Sequence, residues 1–240
     1  MTGGPSPLGA VHLLPPWRSG QSRLHRRDSA ATVARMGDAG LTVDGYRIEP
    51  LSARTWDAYA ALAERHNGVW GGCWCTYFHL YPDPVEERRE LGNREFKRQL
   101  VLAGRTHAAV VLDGDVAVAW AQFGPVDELP NIHHRKDWEK GLVRTPDFRI
   151  TCLFVDRDHR RTGMASVAVR GALALISAAG GGLVESYPHD LPPGKKTSAS
   201  FLYNATRTMY EQLGFAYQRP KGKGNCVMTA EVPAGEPASS

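Results

Sequence analysis

The sequence predicts an α/β (α+β) fold, with strands and helices interspersed along the chain, on three observations. Residues Asp147 to Ala179 read as a short apolar strand, a charged turn bearing Gly163, and a helix of small residues. Ala108–Leu112 and Val116–Phe123 flank Asp113-Gly114-Asp115, the signature of an antiparallel hairpin. Phe215–Gln218 and Asn225–Val232, on either side of Lys221-Gly222-Lys223-Gly224, read as a second hairpin closing the chain. With 240 residues and 42% of them hydrophobic, there is enough apolar surface for one domain with a core. That domain is expected from residue 45 to 232, between disordered tails at 1–44 and 233–240.

The first tail is rich in Gly, Pro and Ser and carries Arg18, Arg23, Arg26, Arg27 and Arg35 against Asp28. Its prolines argue against an amphipathic transit peptide, and its charge is too sparse for a nucleic-acid or membrane arm. A disordered basic extension is expected, with Met36 as an alternative start. Tyr46–Pro50 alternates like a strand, and Thr55 suits the N-cap of a helix bearing Trp56, Tyr59, Ala60 and Leu62. The segment from Val69 to Pro84, VWGGCWCTYFHLYPDP, sets aromatics and two cysteines between glycines and prolines. Such side chains fill cores, yet a glycine-rich loop offers no regular core face, so a pocket lining is the competing reading.

Val85 to Gly104 reads as a charged helix with a solvated face, anchored by Leu91, Phe96 and Leu100. Pro125 to Pro146 is expected to be a mobile polar loop; its adjacent His133 and His134 share no face in regular structure, which argues against a metal or catalytic pair. Along Ile150–Val155, Cys152 alternates in register with Phe148, Ile150 and Phe154, the pattern of an inert buried thiol. The following helix shows Met164, Ala168, Gly171, Ala172, Leu175, Ile176 and Ala179 on one face and stops at Gly180-Gly181-Gly182. Leu183–Tyr187 is the next strand, His189–Ser200 a Pro/Gly/Lys loop, and Phe201–Leu213 a helix capped by Gly214.

A strand, a glycine-bearing turn and a helix start together form an anion site. The first helical N–H groups lack internal partners, the macrodipole places positive charge there, and Gly163 lets a ligand approach the main chain. Arg160 and Arg161 add permanent charge. No Gly-Lys-Ser/Thr follows, which excludes a P-loop, and three spaced glycines are missing, which excludes a dinucleotide fingerprint. Cys73, Cys75, Cys152 and Cys226 include no C-x-x-C pair, so reduced thiols are expected and no metal, although His79 and His107 are possible partners.

Arg160-Arg161-Thr162-Gly163-Met164-Ala165 fits the Arg/Gln-x-x-Gly-x-Gly/Ala signature of the GNAT superfamily of N-acetyltransferases. Tyr210-Glu211-Gln212-Leu213-Gly214-Phe215 resembles the tyrosine and Gly-Phe pair that closes that family's fourth helix. The resemblance implies a GNAT-type mixed, mostly antiparallel central sheet flanked by helices, with the family's fourth and fifth strands splayed. It covers the second half of the chain well and the first half in element order only.

By that resemblance the chain transfers acetyl from acetyl-CoA, a co-substrate, to an amine by direct attack in a ternary complex, without metal. Leu153, Phe154 and Val155 would pair with the pantetheine arm, and Arg160, Arg161, Thr162, Gly163, Met164 and Ala165 would hold the diphosphate. Trp74, Tyr77, Phe78 and His79 fall where the family shapes its acceptor groove. Tyr210 takes the family's general-acid position: a phenol of pKa about 10 can protonate a thiolate whose conjugate acid is near 8.5. The base is harder to place; Glu185, on the strand across the slot, is the first candidate, as catalytic residue or as an exposed strand carboxylate. His79 and Glu128 follow it. Tyr203 stands where many members carry asparagine, so that cofactor role is not carried over.

Expected partners are a small-molecule or protein amine, with no membrane; a net charge of +4 is too small to argue for nucleic acid. A cytoplasmic monomer or homodimer is expected. The alternative is a non-catalytic acyl-CoA-binding regulatory module.

Overall fold

The computed structural model of the chain describes residues 41–80, 85–191 and 202–235. Most of the basic tail, the last five residues, Phe201 and all but the start of the His189–Ser200 loop lie outside these residues. Eight strands form one sheet in the order β1-β2-β3-β4-β5-β6-β8-β7. They are β1 (Leu41–Val43), β2 (Tyr46–Pro50), β3 (His107–Asp113), β4 (Val116–Pro125), β5 (Phe148–Val155), β6 (Gly182–Ser186), β7 (Ala216–Lys221) and β8 (Asn225–Val232). All neighbours run antiparallel except β5 and β6. A parallel pair needs a crossover, and the helix between these two strands supplies it. The helices are α1 (Trp56–Arg65), α2 (Val85–Leu102), α3 (Arg135–Lys140), α4 (Met164–Ala178) and α5 (Arg207–Gln212).

The sheet carries a core layer on each face. On one side α4 lays Val167, Ala168, Ala172, Leu175 and Ile176 against Ile48, Ala109, Val111 and Ala121. Its small residues permit that approach: a Cβ on Gly171 would stand 2.7 Å from Ile48 Cγ2. On the other side Trp56, Tyr59, Leu62 and Ala63 of α1 meet Trp74, Trp120 and Phe154. Ring centroids there lie 4.5 Å apart for Tyr59 and Trp120 and 4.9 Å apart for Trp120 and Phe154.

β5 and β6 pair only from Phe148–Ile150 to Val184–Ser186, and beyond Ile150 they part. Residues 203–206 enter the gap. Leu153 N–H donates to Tyr203 O (2.6 Å), His189 N–H to Ala205 O (3.0 Å), and Arg207 N–H to His189 O (2.9 Å).

Several sequence expectations are corrected here. Phe201–Leu213 was expected to be helical, but α5 begins only after Thr206, whose hydroxyl accepts from Met209 N–H (3.4 Å). Ala205 is left-handed (φ 54°), because the carbonyls ahead of α5 pair with β5 and His189 instead of with a helix ladder. Ile150 and Cys152 do not share a face. The β4–β5 register shifts at Gln122/Phe123, so Thr151 is an extra residue. Ile150 therefore joins the α4 layer, while Cys152 and Phe154 face the other way. α2 is broken at Gly92 (φ 76°, ψ 156°), and it is not wholly solvated, since Lys97 is completely buried. The Pro125–Pro146 connection is packed, not loose: it contains α3 and buries Leu129, Ile132 and Trp138. Leu41–Val43, read as tail, pairs with β2 as an edge strand. Thr55 does not cap α1 with its side chain; Oγ1 donates to Pro50 O (2.8 Å) and accepts from Ser52 N–H (2.9 Å). Lys221, read from sequence as the start of the closing hairpin's turn, is buried with Nζ 4.5 Å from the Tyr187 ring centroid, and burial brings its pKa down to about 8.

Candidate active site

The chain leaves β5 through a short 3-10 turn, Arg157–His159, and enters α4 at Gly163, which is left-handed (φ 84°). An L side chain at this N-cap would be strained, which is the local reason for glycine. Thr162 Oγ1 donates to His159 O (2.6 Å) and ties the turn down. The first helical bonds run from Ser166 and Val167 N–H to Gly163 O, at 2.9 and 3.2 Å. The amides of Met164 and Ala165 come before that ladder and have no helical acceptor. The space above the turn is open, since a Cβ on Gly163 would meet nothing within 4 Å. Arg160 Nε reaches back to Val155 O (3.3 Å), which turns its guanidinium toward the end of β5.

A cavity of about 730 Å³ starts beside this turn. Arg65, Arg157 and Arg160 stand at one end, Cys75, Cys152 and Phe154 line its middle, and Trp70, Tyr77, Phe78, His133 and Tyr203 close the other side. The rings form a continuous wall. Trp70 meets Phe154 at 5.9 Å and Tyr203 at 6.1 Å, Tyr203 lies 5.9 Å from His133, and His133 stacks on Tyr77 at 4.5 Å. Tyr203 is partly buried, and its phenol is pushed up to about 12, first by burial and then by Cys152 and Tyr77. Burial lowers the pKa of His133, and the charges of Lys221 and His134 lower it further.

The glycine-rich loop after α1 shapes one wall. Asn67, Val69, Trp70, Trp74 and Cys75 all have φ between 45° and 52°, as do few residues other than glycine. Main-chain bonds hold this coil: Gly72 and Cys73 N–H both donate to Val69 O (2.8 and 2.9 Å), and Trp74 N–H to Gly68 O (2.9 Å). Gly68 is required sterically, because a Cβ there would collide with the Trp74 indole nitrogen. Strain of this kind, including a β-branched valine, gathers at binding sites.

The structure brings some of the sequence-predicted residues together and sets others apart. Tyr77, Phe78, Phe154 and Arg160 line the cavity. Trp74 stands behind it, stacked on Trp56 at 6.1 Å under the Arg94 guanidinium. His79 is also behind the wall. Its Nδ1 bonds Glu128 O (2.8 Å) and its Nε2 meets Thr106 Oγ1 (3.1 Å), while burial and then Lys97 hold its pKa well below the ordinary value. Thr106 and Gln122 in turn accept from Lys97 Nζ, at 2.7 and 2.9 Å.

Tyr210 is 1% exposed in the α4 layer, edge-on to Phe215 at 4.9 Å. Burial raises its pKa, and Ser186 on β6 pulls the other way. Glu185 is not an exposed strand carboxylate: it is buried, accepts from Trp138 Nε1–H, and lies outside the cavity lining. Arg149, opposite Glu185 in the β5–β6 register, sits 4.6 Å over the Trp138 ring and donates to Leu129 O (2.6 Å). Leu153 presents its amide to the gap between the strands, where Tyr203 O occupies it. Sequence reasoning missed His133 and Tyr203 as wall residues. Only the tyrosine at the family's asparagine position was a signal for the second. Among the described residues, no group of His, Cys, Asp and Glu converges to hold a metal.

Fold and site define an open, mostly antiparallel α/β sheet whose one parallel pair splays beside a helix N-terminus and a cavity. Comparison with solved structures finds acetyltransferases. The chain is similar to a Corynebacterium glutamicum structure described as histone acetyltransferase HPA2 and related acetyltransferase (15% identity, 81% of this chain, 99% of that one, TM-score 0.44). It is also similar to the ribosomal-protein-S18-alanine N-acetyltransferase of Escherichia coli (13%, 81% and 99%, TM-score 0.38). A third is a GNAT-family acetyltransferase of Streptococcus agalactiae (13%, 80% and 98%, TM-score 0.46). No family model matches the sequence, and no curated protein matches it.

Proposed function

We propose that this chain moves an acetyl group from acetyl-CoA to an amine, the amine attacking the thioester directly while both are bound. The supporting observation is the cavity itself. It runs from Arg157 and Arg160, beside the open N-terminus of α4, along Phe154 and Cys152 of β5 to a ring-lined recess. A diphosphate needs the first feature, a pantetheine arm the second and an acceptor the third. On this reading Arg160, Arg161 and the amides of Thr162 to Ala165 hold the diphosphate. The main chain of Leu153 to Val155 holds the arm and, through an N–H, polarises the acetyl carbonyl. Tyr77 and Phe78 touch the acceptor, while Trp74 and His79 brace them from behind. Tyr210, its hydroxyl beside Ser186, gives a proton to the departing thiolate. Glu185, engaged by Trp138 away from the cavity, positions the β6 side of the slot; another group takes the amine's proton.

Two observations favour the alternative, a non-catalytic acyl-CoA-binding module: Tyr203 O already occupies the Leu153 amide, and Tyr210 is nearly inaccessible. Calorimetry with acetyl-CoA, followed by thiol release across a panel of amines, separates the readings. Binding with release supports transfer, binding without release on every amine supports the module, and no heat with folded protein sinks both.

A further inference from the structure

The recess at the ring-lined end of the cavity narrows the acceptor. Trp70, Tyr77, Phe78, Phe154, Tyr203 and His133 present flat apolar faces, joined by ring contacts of 4.5 to 6.4 Å. Among the described residues, no carboxylate lines the cavity, and three arginines stand at its other end. An amine with several positive charges would find no counter-ion there and would be repelled by the guanidinium groups. A flat apolar body with one amine would instead stack on the rings and displace water.

The cavity also limits which group can take a proton from that amine. Glu185, Glu128 and His79 are not on it; His66 and His133 are. His66 sits at the arginine end, its Nε2 3.5 Å from Asp156, which also holds Arg65. His133 stands in the recess. Its Nδ1 and the Tyr77 hydroxyl are 3.1 Å apart, and Asn131 fixes that tyrosine by donating to Tyr77 O (2.9 Å). With Nδ1–H donating to Tyr77, the Nε2 lone pair is left for a substrate proton. The titratable and charged groups facing His133 are Tyr77, Tyr203, His134 and Lys221. None is an anion at neutral pH, so nothing there holds the imidazole protonated.

We infer, building on the acetyl-transfer reading, that the acceptor is an arylalkylamine seated in this recess and that His133 Nε2 takes its proton. The amine nitrogen forms the C–N bond as the C–S bond breaks. One proton passes from nitrogen to His133 and then to solvent, and the thiolate takes up one, leaving an amide and a free thiol.

The test uses the full chain with saturating acetyl-CoA, comparing phenethylamine and tryptamine with spermidine and kanamycin by thiol release. Calorimetry with acetyl-CoA is run on every variant. The arylalkylamines should exceed the polycations in kcat/KM by tenfold or more, on the order expected when a site is built against one class. His133→Gln should lower kcat by about a hundredfold and abolish the limb of the pH profile that rises below pH 6.5, with acetyl-CoA affinity unchanged. Tyr77→Phe, which removes the acceptor of Nδ1–H, should shift that limb to lower pH. Faster turnover of spermidine or kanamycin, or an intact limb in His133→Gln, overturns the inference while leaving acetyl transfer standing. Loss of acetyl-CoA binding by the unmodified chain overturns both.

Discussion

Lys97→Met probes the group least suited to its surroundings. Lys97 is completely buried on α2, and among the described residues no carboxylate pairs with it; Nζ donates to the neutral Thr106 Oγ1 and Gln122 Oε1. Burial brings its pKa down to about 8. The unfolded chain has a lysine value near 10.4, so the charged form disfavours folding by about 3 kcal/mol below pH 8. Between these values the unfolded state binds more protons, so this group's contribution to stability rises with pH across the window. The methionine keeps the length of the side chain and removes the titration. It also leaves two buried oxygens short of a donor, at a cost of about 1–3 kcal/mol. Near pH 7 the gain and the loss should nearly cancel. From pH 7 to pH 10 the unmodified protein should gain about 2–3 kcal/mol on the variant. Urea unfolding followed by circular dichroism at pH 7, 8.5 and 10 measures that gap. A gap that stays constant with pH would mean that the ammonium is solvated or paired and that burial does not lower its pKa.

Gly171→Val should destabilise the fold by about 1–3 kcal/mol, because its Cβ meets Ile48 Cγ2 at 2.7 Å and the Ala109 Cβ at 3.3 Å; thermal unfolding checks this, and an unchanged midpoint would show that α4 can shift. Gly163→Val should raise the acetyl-CoA dissociation constant at least tenfold, through strain at φ 84° and a side chain over the open amides. Calorimetry at equal foldedness reads it, and unaltered affinity would move the diphosphate elsewhere. Tyr210→Phe should lower kcat by about a hundredfold with acetyl-CoA affinity nearly constant; undiminished turnover would remove the phenol from the mechanism.

The elements that local chemistry specifies were legible in the sequence. The Asp113-Gly114-Asp115 hairpin, the β5–turn–α4 unit with Gly163 at its joint, and the closing hairpin each carry their own period and turn residues, and each forms where expected. Of the residues singled out by resemblance, Tyr77, Phe78, Phe154 and Arg160 line the cavity, whereas Trp74 and His79 stand behind it. What depended on long-range partners could not be read. The bulge at Thr151 moves Cys152 to the opposite face from Ile150, a change set by the facing strand β4. Residues 202–206 have a helical pattern but give their carbonyls to β5 and His189.

The sequence by itself determined where the chain turns, which strand leads into which helix, and that a glycine opens a helix at Gly163. Those follow from backbone chemistry within a few residues. Only the tertiary structure decided that Lys97, Glu185, Lys221 and Tyr210 are buried, and that His133 enters the cavity. Burial and contact depend on which distant segments meet, and a charged side chain has the same identity in water as beneath an indole.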